Sequence, residues 1–365
     1  MRLKIILLLV CLCLLATAVQ AAGFLGGGDI SMLTKVEQAG VVFKDEGQAK
    51  EFIKLMQDNG CTCFRLRLFV NPNGRGGVVQ DIPYTIALAK RIKAAGGTLI
   101  LDLHYSDTWA DPSHQIKPAA WKDLPYEDLV RTVESYTART IGEFKKQDAL
   151  PELVQVGNEI HPGFLWPDGR LDSKDPNSWP RFASLLKAGI RGVRQATTPA
   201  DKVKIIIHVA AGGDWGKTDW FFSNCQKHGV EYDIIGQSYY PWWHGTIPEL
   251  KDNLTRTAKK FKKDILVVET AYPWQDVPNF ESRAERLDAM TWEKSPAGQK
   301  AFLEELIRTV RTTPDGRGIG VLWWYPESVP TKQSGGWNGG ITALFDKEGN
   351  ALPAIKSFKG PSASQ

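Results

Sequence analysis

Short apolar segments alternate with longer amphipathic segments along most of the chain. Short apolar runs are typical of buried strands, and the amphipathic segments repeat apolar residues at helical spacing. The pattern predicts eight strands, at 23–30, 62–70, 98–105, 152–158, 203–209, 233–240, 264–269 and 318–325. It predicts helices between them, among others at 46–59, 81–95, 126–147, 179–196, 247–262 and 297–311.

Alternating strands and helices predict a parallel sheet in an α/β fold. Eight such units favour a closed (β/α)8 TIM barrel with a single domain. A doubly wound open sheet is the alternative, but no Gly-rich phosphate loop follows the first strand. Because no Pro/Ser/Thr-rich linker interrupts the chain, we expect one domain over residues 22–356 and a C-terminal tail over 357–365.

The N-terminus has the pattern of a secretory signal peptide over residues 1–21. A basic start precedes an apolar run from Ile5 to about Ala16, and small residues follow at Val19 and Ala21. A retained membrane anchor is the alternative, although the run is short for a span of ~20 apolar residues. We expect a secreted or periplasmic protein that has no membrane association after cleavage.

The charge and the cysteine content argue against nucleic-acid-binding, disulfide-rich and metal-binding classes of protein. The formal net charge is +4 and no long Lys/Arg run occurs, which argues against nucleic-acid binding. Three cysteines remain after the signal, Cys61, Cys63 and Cys225, so one disulfide at most can form within the chain. We expect buried thiols, with Cys61 and Cys63 facing the same way on one strand, and a monomer. No His/Cys spacing suggests a metal site.

Polar residues share one face at the ends of the second and third predicted strands. Arg65 and Arg67 alternate with apolar residues, as do Asp102, His104 and Ser106. In a barrel these faces point into the C-terminal mouth, where buried cations need anions. The arginines either form structural ion pairs or hold a catalytic carboxylate ionised. His104 as a metal ligand is the weaker alternative, because a second His two positions away is absent.

Two glutamates follow apolar strands that carry no other charge. Glu159, beside Asn158, ends the fourth predicted strand, and Glu269 ends the seventh. The 110 positions between them fit three strand–helix units of one barrel. Two carboxyl groups at one mouth suit glycoside hydrolysis, in which one protonates the leaving oxygen and the other attacks the anomeric carbon.

The chain contains 13 Trp, and aromatic residues gather at predicted strand ends. Core packing explains some of them, whereas a sugar-stacking cleft explains their position better. Trp109, Asp111 and Gln115 follow the third strand and suggest a sugar-binding rim. The aromatic residues expected at the mouth are Tyr239, Tyr240, Trp242, Trp243, Trp323, Trp324 and Tyr325.

Several segments along the chain resemble glycoside hydrolase family 53, the secreted endo-β-1,4-galactanases. These enzymes are also called arabinogalactan endo-1,4-β-galactosidases. The HYSDTWADP and SYYPWWHG runs are the most specific, and the matches span nearly the whole chain after the signal. The matching segments are GGDIS at 27–31, RLRLFVNP at 65–72, LDLHYSDTWADPSHQIKPAAW at 101–121, VQVGNEI at 154–160, LWPDG at 165–169, SYYPWWHGT at 238–246, VVETAYPW at 267–274 and GWNGGITALFDKEGNALP at 336–353.

The resemblance implies a (β/α)8 enzyme that cleaves β-1,4-galactan with retention of configuration. Glu159 matches the family's acid/base, Glu269 its nucleophile and Asn158 the residue that contacts the sugar 2-hydroxyl. One Tyr of the SYYP run matches the residue that hydrogen-bonds the nucleophile. The remaining substrate-binding candidates are Arg65, His104, Trp109, Trp324, Tyr239 and Tyr240.

Two segments depart from the family pattern. His161-Pro162-Gly163 follows the NEI motif in place of an Asn-rich turn, and Trp324-Tyr325-Pro326-Glu327-Ser328 stands where W-E-P-A-W is usual. Both lie at the expected cleft, where they leave the chemistry intact but leave open a related enzyme that acts on mannan or glucan. A glycan-binding protein without activity is a further alternative, and the intact Glu159/Glu269 pair argues against it. Some bacterial members bind calcium near the eighth strand. No compact Asp/Asn cluster requires it here, so we expect no cofactor.

Overall fold

The computed structural model describes residues 23–276, 285–332 and 334–360. The predicted signal peptide at 1–21 lies outside these residues, as do positions 361–365 of the predicted tail. None of the helices within the described ranges combines the length and the apolar composition of a membrane span.

Eight parallel strands close into a barrel, which confirms the predicted (β/α)8 fold. Neighbours follow chain order, and the last strand pairs with the first, with Gly320 opposite Leu25. The predicted ranges covered all eight strands, with ends displaced by two positions at most. The strands are β1 Leu25–Asp29, β2 Cys63–Leu68, β3 Thr98–Leu103, β4 Leu153–Val156, β5 Lys204–Val209, β6 Ile234–Tyr239, β7 Asp264–Thr270 and β8 Gly318–Trp324.

Helices surround the barrel: α1 Leu33–Gln38, α2 Phe52–Asp58, α3 Ile82–Ala94, α4 Tyr126–Lys146, α5 Ser178–Ala196, α6 Trp215–Lys227, α7 Pro241–His244, α8 Ile247–Phe261 and α9 Pro296–Arg311. The helix predicted at 46–59 starts only at α2, because Lys44–Asp45 and Gln48–Ala49 pair as a hairpin. The pattern did not single out α6, whose buried face includes the polar Thr218. The segments Gly163–Phe164 and Gly169–Arg170 form a second hairpin after β4.

Alternate strand residues fill the barrel interior with apolar side chains. This inner cluster consists of Cys63, Ile100, Leu153, Ile206, Ile234, Leu266, Val268 and Leu322. The opposite strand faces, such as Phe64 and Leu66 of β2, pack against the helices. Apolar residues occupy the interior, so the inward-facing polar residues lie at the C-terminal mouth. Barrel enzymes carry their active sites at this end.

Cys61, Cys63 and Cys225 are buried and free, as predicted. However, the prediction that Cys61 and Cys63 face the same way was wrong. Cys63 points into the barrel interior, whereas Cys61 packs in the layer between barrel and helices. Since β2 starts at Cys63, strand alternation does not extend to Cys61. Burial raises the pKa of both thiols and of Cys225.

The folded chain continues past residue 356. A 3-10 helix spans Pro353–Lys359, and the ring of Phe358 is buried. A Cβ placed on Gly26 of β1 would lie 2.8 Å from this ring, so Phe358 packs directly on the start of the barrel. The prediction of a tail from 357 was therefore wrong for residues 357–359, because an apolar side chain holds them on the core.

Candidate active site

The ends of β1, β2 and β3 bring a cluster of charges into the barrel mouth. Arg65 and Arg67 are fully buried, and each meets a carboxylate, as predicted. Arg65 donates through Nη2 to Asp102 Oδ2 at 2.6 Å and through Nη1 to Glu269 Oε1 at 2.5 Å. Arg67 Nη1 lies 3.3 Å from Asp29 Oδ1. Arg65 therefore joins β3 to the glutamate of β7.

Glu269 reaches the mouth through an irregularity in the sheet. The preceding Val268 points into the barrel interior, so strict alternation would turn Glu269 towards the helices. The register between β6 and β7 shifts just before Ser238, which then lies opposite Glu269. Bulges of this kind redirect side chains beside active sites. The redirected carboxylate accepts hydrogen bonds from Arg65 and from the Tyr240 hydroxyl, the latter at 3.0 Å.

Glu159 follows β4 in a left-handed backbone conformation, with φ of +51°. This conformation costs a non-glycine residue about 1–2 kcal/mol, and such strain gathers at functional sites. The Glu159 carboxyl accepts a hydrogen bond from Ser238 Oγ at 2.6 Å. Ser238 thus contacts the one glutamate and lies opposite the other in the sheet.

The two carboxyl groups differ in their electrostatic surroundings. Burial together with the negative charge of Glu269 raises the pKa of Glu159 to about 8. Burial also raises the pKa of Glu269, but the bonded Arg65 guanidinium opposes this effect. Glu269 therefore loses its proton first. Burial therefore favours the protonated form of Glu159, whereas Arg65 favours the ionised form of Glu269.

Asn158 is fixed between the charge cluster and a buried histidine. Its Oδ1 accepts from Arg65 Nη2 at 2.8 Å and lies 2.9 Å from His208 Nδ1. His208 Nε2 lies 2.8 Å from Ser238 Oγ, the hydroxyl that contacts Glu159. Burial and Arg65 lower the pKa of His208 well below its usual value, so the imidazole is neutral. The side chains that position both glutamates thus form one connected network.

Residues after β3 complete the wall beside Arg65. His104 Nε2 lies 2.9 Å from Asp102 Oδ2. Although burial opposes a charge on Asp102, Arg65 and His104 hold its pKa well below the usual range. Gln115, expected at the rim, is instead buried and donates to the Asn158 carbonyl at 2.8 Å.

A cleft of about 810 Å³ crosses the mouth, and Glu159, Glu269, Asn158 and Asp111 lie in its walls. Six aromatic residues line it as well: Trp109, Tyr240, Trp243, Trp324, Tyr325 and Trp337. An open cleft lined by aromatic rings and by two glutamates suits the binding of a chain of sugar units.

Three aromatic residues expected at the mouth lie elsewhere: Tyr239, Trp242 and Trp323 are buried outside the cleft. The Tyr239 hydroxyl donates to the Gly245 carbonyl at 2.8 Å, so Tyr240 is the tyrosine of this pair that contacts the nucleophile candidate. Trp323 turns away because its neighbour Trp324 faces the mouth and side chains alternate along a strand. Placing Tyr239 among the substrate-binding residues was therefore wrong.

The two departures from the family pattern occupy different positions. His161 is partly buried, and its Nδ1 accepts from the Ala210 amide at 3.3 Å. Glu327 is fully buried, and its Oε1 accepts from the Met32 amide at 3.0 Å. Burial and the nearby Asp29 raise the pKa of Glu327 to about 8, so this carboxyl is neutral at pH 7. It ties the loop after β8 to the loop after β1.

Sequence reasoning did not select Ser238 or His208 as site residues. It placed Arg67 in the mouth beside Arg65 but did not include it among the substrate-binding residues. Of these three residues, Arg67 was the easiest to predict from the sequence, because it shares the inward strand face of Arg65. His208 and Ser238 carry no signal beyond their position near predicted strand ends. The described residues contain no group of three or more potential His, Cys, Asp or Glu metal ligands. The expectation of no cofactor, calcium included, stays a prediction.

Two carboxyl groups in different electrostatic surroundings at the mouth of a (β/α)8 barrel suit the class of glycoside hydrolases. The model of glycosyl hydrolase family 53 matches residues 25–358, and the chain belongs to this family.

Curated relatives and solved structures agree with this placement. A probable arabinogalactan endo-β-1,4-galactanase A of Aspergillus terreus is 39% identical over 312 residues, covering 82% of this chain and 84% of its own. An arabinogalactan endo-β-1,4-galactanase of Cellvibrio japonicus is 33% identical over 351 residues, covering 92% and 90%. The family 53 catalytic domain of Ignisphaera aggregans superimposes with a TM-score of 0.84 at 33% identity, covering 92% of this chain and 95% of that one.

Proposed function

We propose that this protein is an exported, retaining endo-β-1,4-galactanase that hydrolyses galactan and arabinogalactan side chains of pectin. The pairing of a protonated Glu159 with an ionised Glu269 in an open, aromatic-lined cleft carries this proposal. The names of the relatives support galactan as the substrate. The proposed export rests on residues 1–21, and we expect a monomer that needs no cofactor.

In the proposed mechanism Glu269 attacks the anomeric carbon while Glu159 donates its proton to the departing glycosidic oxygen. A covalent glycosyl–enzyme forms, and the leaving chain departs. Glu159, now a carboxylate, takes a proton from water, which attacks the same carbon and releases the product. The bond from Glu269 to the sugar breaks in that step, so two inversions give net retention.

The surrounding residues would prepare these two steps. Arg65 and the Tyr240 hydroxyl hold the Glu269 carboxylate in place and favour its ionised form. Asn158, fixed by Arg65, would bind the 2-hydroxyl of the reacting sugar. His104 would bind the same sugar, and Trp324 and Trp109 would contact the apolar faces of the bound rings. Because these groups are bonded to one another before substrate arrives, little reorganisation is needed during the reaction.

Hydrolysis of unbranched β-1,4-galactan tests substrate and stereochemistry together. We expect reducing ends from galactan but not from mannan or cellulose, because the site belongs to a family whose named members cleave galactan. Proton NMR of the early reaction should show the β-anomer first, because attack by Glu269 through a covalent intermediate gives net retention. Preferred release from mannan or cellulose would contradict the substrate, and an α-anomer appearing first would contradict retention.

The pH dependence of kcat/KM should be bell-shaped. Glu159 acts as an acid only while protonated, so activity should fall as pH rises through its pKa of about 8. Glu269 acts only when ionised, so activity should fall on the acid side at a pKa above the usual glutamate value. In Glu159→Ala, the step that releases an activated aryl leaving group should lose the alkaline limb. An alkaline limb that persists in this variant would assign it to another group.

A further inference from the structure

Arg67 lies in the barrel mouth but contacts neither catalytic glutamate. It is fully buried, with Nη1 3.3 Å from Asp29 Oδ1 and Nη2 donating to the Tyr325 hydroxyl. Its backbone amide donates to Ser31 Oγ at 2.9 Å. Since Arg65 already holds Glu269, the proposed hydrolysis steps leave this second buried cation without a role.

The Arg67 guanidinium packs against three rings that line the cleft. Its central carbon lies 4.3 Å from the ring centre of Trp109, 4.8 Å from that of Tyr325 and 5.5 Å from that of Trp324. These three residues, here called the aromatic wall, also contact one another. The ring centres of Trp324 and Tyr325 are 4.7 Å apart. Cations and aromatic faces attract at these distances. Arg67 thus backs the wall from the side that substrate cannot reach.

Tyr325 adopts a backbone conformation that the rest of the structure must hold in place. Its φ is +64°, a left-handed conformation that is unfavourable for a bulky residue. The hydrogen bond from Arg67 and the contact with the guanidinium both fix its ring against the cleft. Strain of this kind persists where a side chain must point in one direction.

The aromatic wall lies on the nucleophile's side of the cleft. Trp324 is 5.6 Å from the guanidinium of Arg65, which is bonded to Glu269. Trp324 ends β8, which is next to the β7 strand of Glu269, whereas Glu159 follows β4, four strands away around the barrel. Because the leaving group departs towards the acid, the part of the substrate retained by the enzyme extends on the Glu269 side. Tyr325 and Trp109 therefore lie beyond the reacting sugar, where its neighbour would bind.

We propose that Tyr325 and Trp109 bind the second sugar on the retained side of the cleaved bond, and that Arg67 is the positioning residue that holds them. This inference rests on the proposed function. It gives the two arginines of β2 separate roles, since Arg65 serves the reacting sugar in every substrate and Arg67 serves only substrates that fill the second subsite.

The test is the cleavage pattern of β-1,4-galactotetraose labelled with ¹⁸O at its reducing end. Labelled galactotriose is the one labelled product formed without a sugar in the second retained subsite. We expect Tyr325→Ala and Arg67→Lys to raise the ratio of labelled galactotriose to the shorter labelled products about tenfold, the effect of losing one good apolar contact. Tyr325→Phe, which keeps the ring and loses the bond to Arg67, should raise it less.

The ratio compares products of one reaction, so a smaller folded fraction does not change it. Tyr126→Phe is the matched control, because its hydroxyl donates to the Arg181 carbonyl outside the cleft, and the ratio should stay at the wild-type value. A wild-type ratio in Tyr325→Ala and Tyr325→Phe would overturn the subsite. Wild-type enzyme that releases no product would overturn the proposed function and the subsite with it.

Discussion

Azide added to the Glu159→Ala variant should restore turnover of an activated aryl β-galactoside and yield a β-galactosyl azide. An activated leaving group needs little protonation, so the glycosyl–enzyme still forms on Glu269. Removal of the glycosyl group then limits the rate, because no base activates water. Azide needs no base and can enter the space that the Glu159 side chain vacates. Without azide, we expect a loss of about 10²–10⁴-fold, the usual value of general acid–base catalysis.

Glu269→Ala should behave differently with the same substrate. No glycosyl–enzyme can form, so all substrates should fail alike. Azide could then attack only from the vacated nucleophile side and yield the α-product. Product NMR therefore assigns the roles. A β-azide from Glu269→Ala together with an α-azide from Glu159→Ala would mean that the two roles are reversed.

Arg65→Ala should reduce kcat/KM by about 10²–10³-fold, the usual cost of removing one preorganised charge-stabilising group. The variant loses a bond to the nucleophile and the anchor of Asn158 together. The acid limb of the pH profile should also move to higher pH, because burial of Glu269 would no longer be opposed by this cation. Steady-state kinetics from pH 4 to 9 measure both effects.

Arg91→Ala is the control for this variant. Arg91 also bonds two carboxylates, Glu37 and Glu51, but on the outside of the barrel, so its loss should leave kcat/KM unchanged. Thermal unfolding of each variant separates lost structure from lost catalysis. Near-normal turnover in folded Arg65→Ala, with the acid limb in place, would show that the Arg65–Glu269 pair is purely structural.

The periodicity of apolar residues was enough to predict the barrel. Each strand buries both faces, so it appears as a short apolar run, and the helices repeat at their own spacing. The inward direction of Arg65, Asp102 and His104 also follows from local sequence, because alternation along a strand is a property of the backbone itself.

The same rule fails where the backbone is irregular. Alternation after Val268 would turn Glu269 away from the mouth, and a register shift between β6 and β7 corrects it. The direction of the Glu159 side chain depends on the left-handed backbone conformation of Glu159 itself, which no sequence period encodes. Both glutamates were identified from their place at strand ends, not from a rule that predicts where their side chains point.

The sequence by itself determined the fold class, the strand ends that meet at the mouth and the two carboxyl groups placed there. Only the tertiary structure decided which of Tyr239 and Tyr240 contacts Glu269, that Cys61 and Cys63 face different layers and that Phe358 belongs to the core. It also brought Arg67 against Tyr325, 258 positions away. Periodicity fixes the direction of a side chain relative to its own element, whereas partners across the barrel depend on how all eight strands close.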